Sequence, residues 1–361
     1  MQLMELEQRL VPFCRYHYDD PGAHVSEVHQ MPGHAGFAYG FTVSSNEETE
    51  SWFLRLPPPG VRWRGTADVR RQVEVLNSLK GSEVPHCTVQ WASPATPEPE
   101  DLAWFGCPYF IVPKLKGDVL RLGQFNGQPE WGASLSADAL LSLGREVMSA
   151  LAEIHLHDWE NLSYLGRPVS LQEDVIRWDR LLERAADPER LEGAAEVRRR
   201  LLKRQPTHSR IGLFHGDFQT ANLFCQLPGN DADASSSHLL AVIDWELTGI
   251  GATLNDLGWI VTFSDSCAWD LVENPRAMFL DPDTLIQLYL HALKRKSTET
   301  LPVEESELNW YRALAAYKFA LITGFNLSLH RRGKRHDPVW EISKHSMQSL
   351  VERALHLLPA D

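Results

Sequence analysis

The sequence predicts an α+β chain in two parts, a small strand-rich part over residues 1–112 and a larger, mostly helical part over residues 113–361. Two observations carry this. Up to Val112, short apolar runs alternate with turn residues and only one helical pattern intervenes. Beyond it, apolar residues recur every three or four positions over long stretches, interrupted by two short apolar strands at 211–224 and 239–243.

Within the first part, Val25 to Leu56 reads as strands joined by turns at Met31–Gly36 and Ser44–Glu48, ending at Pro57-Pro-Pro-Gly60. Trp52 to Leu56 is apolar except for Arg55. From Ala67 to Leu79 the apolar residues Val69, Val73, Leu76 and Leu79 fall at helical spacing, and Gln72 shares their face. Cys87–Trp91 and Tyr109–Val112 read as further strands, followed by the connector Pro113–Gly117. In the second part, 140–155, 285–294, 308–329 and 340–358 read as helices, and 228–238 as a polar hairpin tip. No repeat and no long linker appears.

Composition narrows the function. With 43% hydrophobic and 23% charged residues, the 361-residue chain is an ordinary globular protein. Its formal charge of -13 argues against a nucleic-acid partner, because neutralising phosphates needs a basic face. The five cysteines are far apart and contain no C-x-x-C pair, so neither a disulfide framework nor a zinc site is indicated and a reducing cytoplasm fits. No apolar stretch approaches the ~20 residues of a membrane span, and the N-terminus does not read as a signal peptide.

The chemistry is concentrated in His215-Gly-Asp-Phe-Gln-Thr-Ala-Asn222 and, after the polar loop, Ile243-Asp-Trp-Glu246. Each acidic or amide group follows an apolar strand. A lone aspartate there is usually a cap or turn residue. The order and spacing of three such groups is another matter. Phosphoryl transfer asks a protein for a carboxylate to take the attacking hydroxyl's proton and for oxygen ligands to a magnesium ion, and Asp217, Asn222 and Asp244 supply that set.

These motifs resemble the aminoglycoside phosphotransferase and choline kinase family, whose His-Gly-Asp, four residues, Asn, then Ile/Leu-Asp-Trp-Glu is matched position by position. The resemblance implies a protein-kinase-like two-lobed fold that uses ATP and Mg2+. It makes Asp217 the catalytic base, His215 a brace for its loop, and Asn222 and Asp244 the metal ligands. Gly251-Ala-Thr-Leu-Asn-Asp-Leu-Gly258 resembles a second family motif, in which Asp256 stabilises the catalytic loop. Tyr164–Pro168, Arg177-Trp178 and Gly258-Trp259 look like the subgroup related to kinase-like domains of some acyl-CoA dehydrogenases.

By the same resemblance Gly33, His34 and Gly36 form the phosphate loop, although no G-x-G-x-x-G is present. Arg55 and Gln72 stand where many relatives have a strand lysine and a helix glutamate. Arginine can still grip phosphate, whereas glutamine is a weaker partner for it than a carboxylate. Pro108–Lys116 would be the hinge that meets adenine. His155 reads as a packed histidine.

The expected reaction moves the γ-phosphoryl group of ATP to a hydroxylated small molecule, with a hydroxyacyl-CoA or hydroxy acid as first candidate. The alternatives are an aminoglycoside or macrolide kinase and a catalytically silent nucleotide-binding module. One basic cluster, His330-Arg-Arg-Gly-Lys-Arg-His336, reads either as a solvated helix end or as an anion-binding rim.

Overall fold

The computed structural model describes residues 2–31, 37–94, 102–125, 128–227, 237–297 and 303–359. The chain divides into two compact units, the first made of Met1–Gly117 with Leu162–Leu165 and Leu240–Thr248, the second of Asp118–Asn161, Gly166–Leu239 and Gly249–Asp361. Asp244 and Glu246 therefore belong to the first unit, and Asp217 and Asn222 to the second.

The first unit opens with α1 (Leu3–His17), a helix to which the sequence reading assigned no element. Its apolar residues Leu6, Leu10, Phe13 and Cys14 recur at one-face spacing and are buried. They pack on a five-stranded sheet built from β1 (His24–Gln30), β2 (Ala38–Ser45), β3 (Glu48–Arg55), β4 (Trp91–Ala92) and β5 (Phe110–Pro113), in the order β1-β2-β3-β5-β4. Every pairing is antiparallel. Phe41, Leu54 and Ile111 join the α1 residues in one core. Of the expected strand Cys87–Trp91 only Trp91 lies in a strand, at the start of β4, although the Gln90 N–H already donates to the Ile111 carbonyl at 2.9 Å.

Helix α2 (Val69–Ser78) begins at Asp68, whose carboxylate accepts from Arg70 N–H and also from the Tyr164 hydroxyl at 2.8 Å. One N-cap thus fastens the distant 162–165 segment. The inward face carries Val69, Gln72, Val73 and Leu76, as the spacing predicts.

The second unit starts with short strands, β6 (Asp118–Val119), β7 (Gln124–Phe125) and β8 (Gln128–Pro129). Helix α3 (Ala137–Leu156) is capped by Ser136 and buries Leu143, Val147, Leu151 and Ile154. Three helices follow, α4 (Leu171–Ile176), α5 (Asp179–Leu182) and α6 (Ala194–Lys203). The expected strand at 211–224 is two pieces, β9 (Ile211–Phe214) and β10 (Leu223–Cys225), separated by a loop and one 3-10 turn. That break is where the chemistry-bearing residues sit. The expected hairpin tip at 228–238 lies mostly outside the described residues.

After β11 (Leu239–Val242), β12 (Gly249–Ala252) pairs antiparallel with β9. Then come α7 (Leu254–Phe263), α8 (Pro282–Lys296), the long α9 (Glu305–Arg331), α10 (Val339–Ser343) and α11 (Met347–Leu357). Gly258 lets α7 approach α9 closely, since a Cβ there would lie 2.6 Å from the Tyr311 carbonyl oxygen. Among the described residues no helix is long and apolar enough to cross a membrane.

Candidate active site

The strand β9 is fully apolar and ends at Phe214; the chain then needs a sharp turn, which Gly216 provides at φ 89°. Both backbone N–H groups of this turn point at one carboxylate. His215 N–H donates to Asp256 Oδ2 at 2.6 Å and Gly216 N–H to Asp256 Oδ1 at 2.8 Å. Asp256 comes from the first turn of α7 and is 1% exposed. His155 of α3 also reaches it, with Nε2 3.4 Å from Oδ2, while the Tyr289 hydroxyl lies 2.8 Å from His155 Nδ1. Burial acts to raise the Asp256 carboxyl. The hydrogen bond and charge of His155, the charge of His215 and the Gly216 amide outweigh it, so the group stays below the ordinary carboxylate range. Burial pushes the His155 ring down from its ordinary range, against the upward pull of the Asp256 hydrogen bond and charge.

With the turn pinned, Asp217 is held from several sides. Its N–H donates to the buried His215 ring at Nδ1, 3.2 Å away. Its Oδ1 accepts from Trp259 Nε1 at 2.8 Å and Gln219 Nε2 at 3.0 Å, and its Oδ2 from Asn222 Nδ2 at 2.9 Å. Asn222 Nδ2 bonds the Asp217 carbonyl as well, at 2.8 Å. This carboxylate is oriented, with Oδ1 accepting two hydrogen bonds and one lone pair of Oδ2 left open among the described residues, the condition for accepting a proton at a fixed point. Because the Asn222 amide nitrogen is turned toward Asp217, its Oδ1 is the atom of that side chain not spent on this carboxylate.

In the first unit, Asp244 adopts φ 62°, a left-handed conformation that a non-glycine residue occupies at a cost. Its Oδ1 is buried without a hydrogen-bond partner among the described residues. A buried anionic oxygen left unpaired is expensive, and a cation is what relieves it. A carboxylate oxygen of this kind suits magnesium, which typically takes one or two protein oxygens and completes its shell with substrate phosphates and water. Among the described residues no group of three or more His, Cys, Asp or Glu is placed to hold a metal.

The expected Arg55–Gln72 partnership does not form. Arg55 instead donates to Glu246 Oε2 at 2.8 Å, and Gln72 Nε2 is buried with no partner among the described residues. The carboxylate missing from α2 is supplied by the last residue of the Asp-Trp-Glu motif. Arg71, next to Gln72, secures this segment further by donating to the Thr248 carbonyl at 2.8 Å. Gly33, His34 and Gly36 lie outside the described residues.

Matching against family models assigns residues 39–283, well over half of the chain, to the phosphotransferase enzyme family known as APH. The chain belongs to that family. Acyl-CoA dehydrogenase family member 11 of Gallus gallus is 24% identical to this chain over 290 residues, which is 76% of this chain and 33% of the chicken protein. The chain thus spans about a third of that relative's length. A putative aminoglycoside phosphotransferase from Ralstonia eutropha superposes with a TM-score of 0.70 at 19% identity, covering 97% of each chain. Spectinomycin phosphotransferase, solved with ADP and spectinomycin, gives 0.57 at 14% identity over 97% of this chain and 98% of its own. The fold of this chain is therefore the kinase-like α+β fold that the resemblance implied.

Trp259, Gln219 and Glu246 were not foreseen as partners in the site. Glu246 and Trp259 stood within quoted motifs, but nothing in a sequence says which way an indole N–H points. Within the basic cluster, Arg331 is committed to two carboxylates, Asp187 at 2.6 Å and Glu341 at 2.7 Å. The helix ends there on Gly333 at φ 65°, with Arg332 and Lys334 exposed. That arrangement is a basic helix C-terminus complementing the macrodipole.

Proposed function

We propose that this phosphotransferase is an ATP-dependent kinase that moves the γ-phosphoryl group from a magnesium nucleotide to a hydroxyl of a small molecule. The observation that carries the reading is the posture of Asp217, whose two carboxylate oxygens are fixed by Trp259, Gln219 and Asn222. Asp217 takes the proton of the acceptor hydroxyl as that oxygen bonds to the γ-phosphorus, the bridging bond to the β-phosphate breaks, and ADP leaves. Asn222 and Asp244 are the residues that would hold a Mg2+, which when bound would offset charge on the phosphates. Arg55, positioned by Glu246, would grip phosphate oxygens, with Gly33, His34, Gly36 and the helix residue Gln72 proposed as further members of the nucleotide site. A hydroxyacyl-CoA or hydroxy acid acceptor is supported by the likeness to part of an acyl-CoA dehydrogenase family member. A cytoplasmic location is supported by the five free cysteines, of which buried Cys14 and Cys225 are pushed up to about 12 by desolvation and so stay thiols.

The direct test is ADP release in the presence of magnesium, ATP and a panel of hydroxylated acceptors. Within it, Asp244→Ala is expected to shift the magnesium dependence of turnover to higher concentration and to weaken the magnesium nucleotide. A magnesium titration identical to wild type removes Asp244 from the ligand set. For the phosphate grip, Arg55→Ala should raise the Kd for ATP by about tenfold, the scale of one charge-assisted contact, and leave the acceptor's KM nearly unchanged. Glu246→Gln should move ATP in the same direction by a smaller factor, because Arg55 keeps a neutral acceptor. Equal losses for ATP and acceptor in Arg55→Ala would mark the pair as scaffold.

A further inference from the structure

Lys318 on α9 is 7% exposed, yet among the described residues it makes neither a hydrogen bond nor an ion pair. Its ammonium instead lies over two indole rings, 5.4 Å from the centroid of Trp178 and 5.3 Å from that of Trp259. Trp259 is the residue whose Nε1–H holds Asp217 Oδ1. The lysine and the presumed base thus meet the same side chain. Desolvation pushes the Lys318 ammonium down, assisted by Arg177; Asp174, Asp256 and Asp217 pull the other way without compensating. The first of these carboxylates is ion-paired, with Arg177 2.6 Å from Asp174 Oδ1, although that buried oxygen accepts no well-directed hydrogen bond among the described residues.

Other donors around it also lack acceptors. Trp178 Nε1 is buried with no partner among the described residues, and so is Arg276 Nε, whose guanidinium lies 3.5 Å from the Trp269 ring centroid. The rings of Trp259, Phe263, Phe319 and Trp269 connect the two cations through contacts of 5.0 to 5.9 Å. A lysine serving the scaffold would be expected to have a carboxylate close by. On the same helix, Arg312 does, with Asp265 at 3.0 Å. Asp174 Oδ1 is a buried acceptor that also lacks a hydrogen bond among the described residues, but the Lys318 ammonium, Trp178 Nε1 and Arg276 Nε outnumber it, and an aromatic wall with that excess of donors is complementary to an anionic oxygen group.

We propose that Lys318, flanked by Trp178 and Trp259, binds the carboxylate of the phosphoryl acceptor and so presents that acceptor's hydroxyl to Asp217. The preferred acceptor is then a small hydroxy acid, not a neutral alcohol or a polycationic antibiotic, which a buried ammonium repels. This rests on Asp217 being the base.

The two tryptophans provide a readout independent of turnover. Tryptophan emission of the full chain with Mg-ADP is titrated with β-hydroxybutyrate and γ-hydroxybutyrate, and in parallel with the matching butanediols, which lack the carboxylate. The expected result is a saturable change with the hydroxy acids, with the diols at least about tenfold weaker, the usual cost of losing one charge-assisted contact. Lys318→Met should abolish that preference while leaving the ADP affinity unchanged, and Lys318→Arg should restore part of it. Should Lys318→Met fail to fold, Trp178→Phe, which deletes only the indole donor and its ring fusion, should weaken the acids selectively. Equal binding of acids and diols, no response to any of these probes, or unchanged acid binding in Lys318→Met overturns the proposal. Hydroxy acids that bind through Lys318 but are never phosphorylated would overturn the kinase reading and leave the binding assignment standing. Efficient phosphorylation of a diol or an amine, unaffected in Lys318→Met, would do the reverse.

Discussion

Replacing Asp217 by asparagine is expected to lower turnover by about 10²-fold or more, the scale of general-base catalysis, with nucleotide affinity nearly intact. The amide keeps the shape of the side chain but cannot take a proton. Trp259 Nε1–H, Gln219 Nε2–H and Asn222 Nδ2–H all donate to the aspartate, so the variant can satisfy them only where its carbonyl oxygen faces them. Some loss of order at the loop is therefore expected beside the lost base. Single-turnover measurement of the chemical step and an independent nucleotide titration separate the two contributions. Near-normal turnover in this variant would remove Asp217 from its assigned role.

Asp256→Ala is expected to have the largest effect on stability, about 3–5 kcal/mol, because it strands two buried backbone N–H groups and the ring of His155. For a unit of this size that corresponds to a fall in Tm of roughly 10 °C. Circular dichroism melting measures it, and a shift under ~1 kcal/mol would show that the turn at His215 and Gly216 does not depend on this carboxylate. The pH dependence has a definite sign. The folded-state value of Asp256 lies below its ordinary 3.8, so its contribution is fully present above that value and is lost as the pH falls through the lower, folded-state one. Wild type should lose stability in acid more steeply than Asp256→Asn, which has no such group to protonate.

Much of the fold could be read from periodicity. Val69, Gln72, Val73 and Leu76 were placed on one inward helix face from spacing alone, and the structure buries all four. Helix α3 begins three residues before the first apolar residue of the expected stretch, the normal uncertainty where a cap rather than an apolar residue begins the element. Helix α1 was passed over although its apolar spacing is regular, because four charged residues and Pro12 dilute the stripe. The 340–358 stretch was read as one helix, whereas the chain folds α10 and α11 with a 3-10 turn between them at Lys344–Ser346. Hydrophobic spacing counts residues per turn loosely and does not register one tightened turn.

The sequence by itself determined which residues are available for chemistry, since Asp217, Asn222 and Asp244 are set by order and spacing that a chance arrangement rarely reproduces. It could not determine their partners. Whether Arg55 meets Gln72 or Glu246 depends on where a residue 191 positions away is carried by the fold, and the carboxylate at Glu246 lies 2.8 Å from Arg55 while Gln72 Nε2 makes no bond. The same holds for Trp259, whose indole N–H reaches Asp217 across 42 positions, and for Lys318, which in the sequence is one lysine in an apolar helix. Hydrogen bonds and charge are short-ranged and directional, so their effect is fixed only when packing brings the side chains within a few ångströms and turns them toward one another.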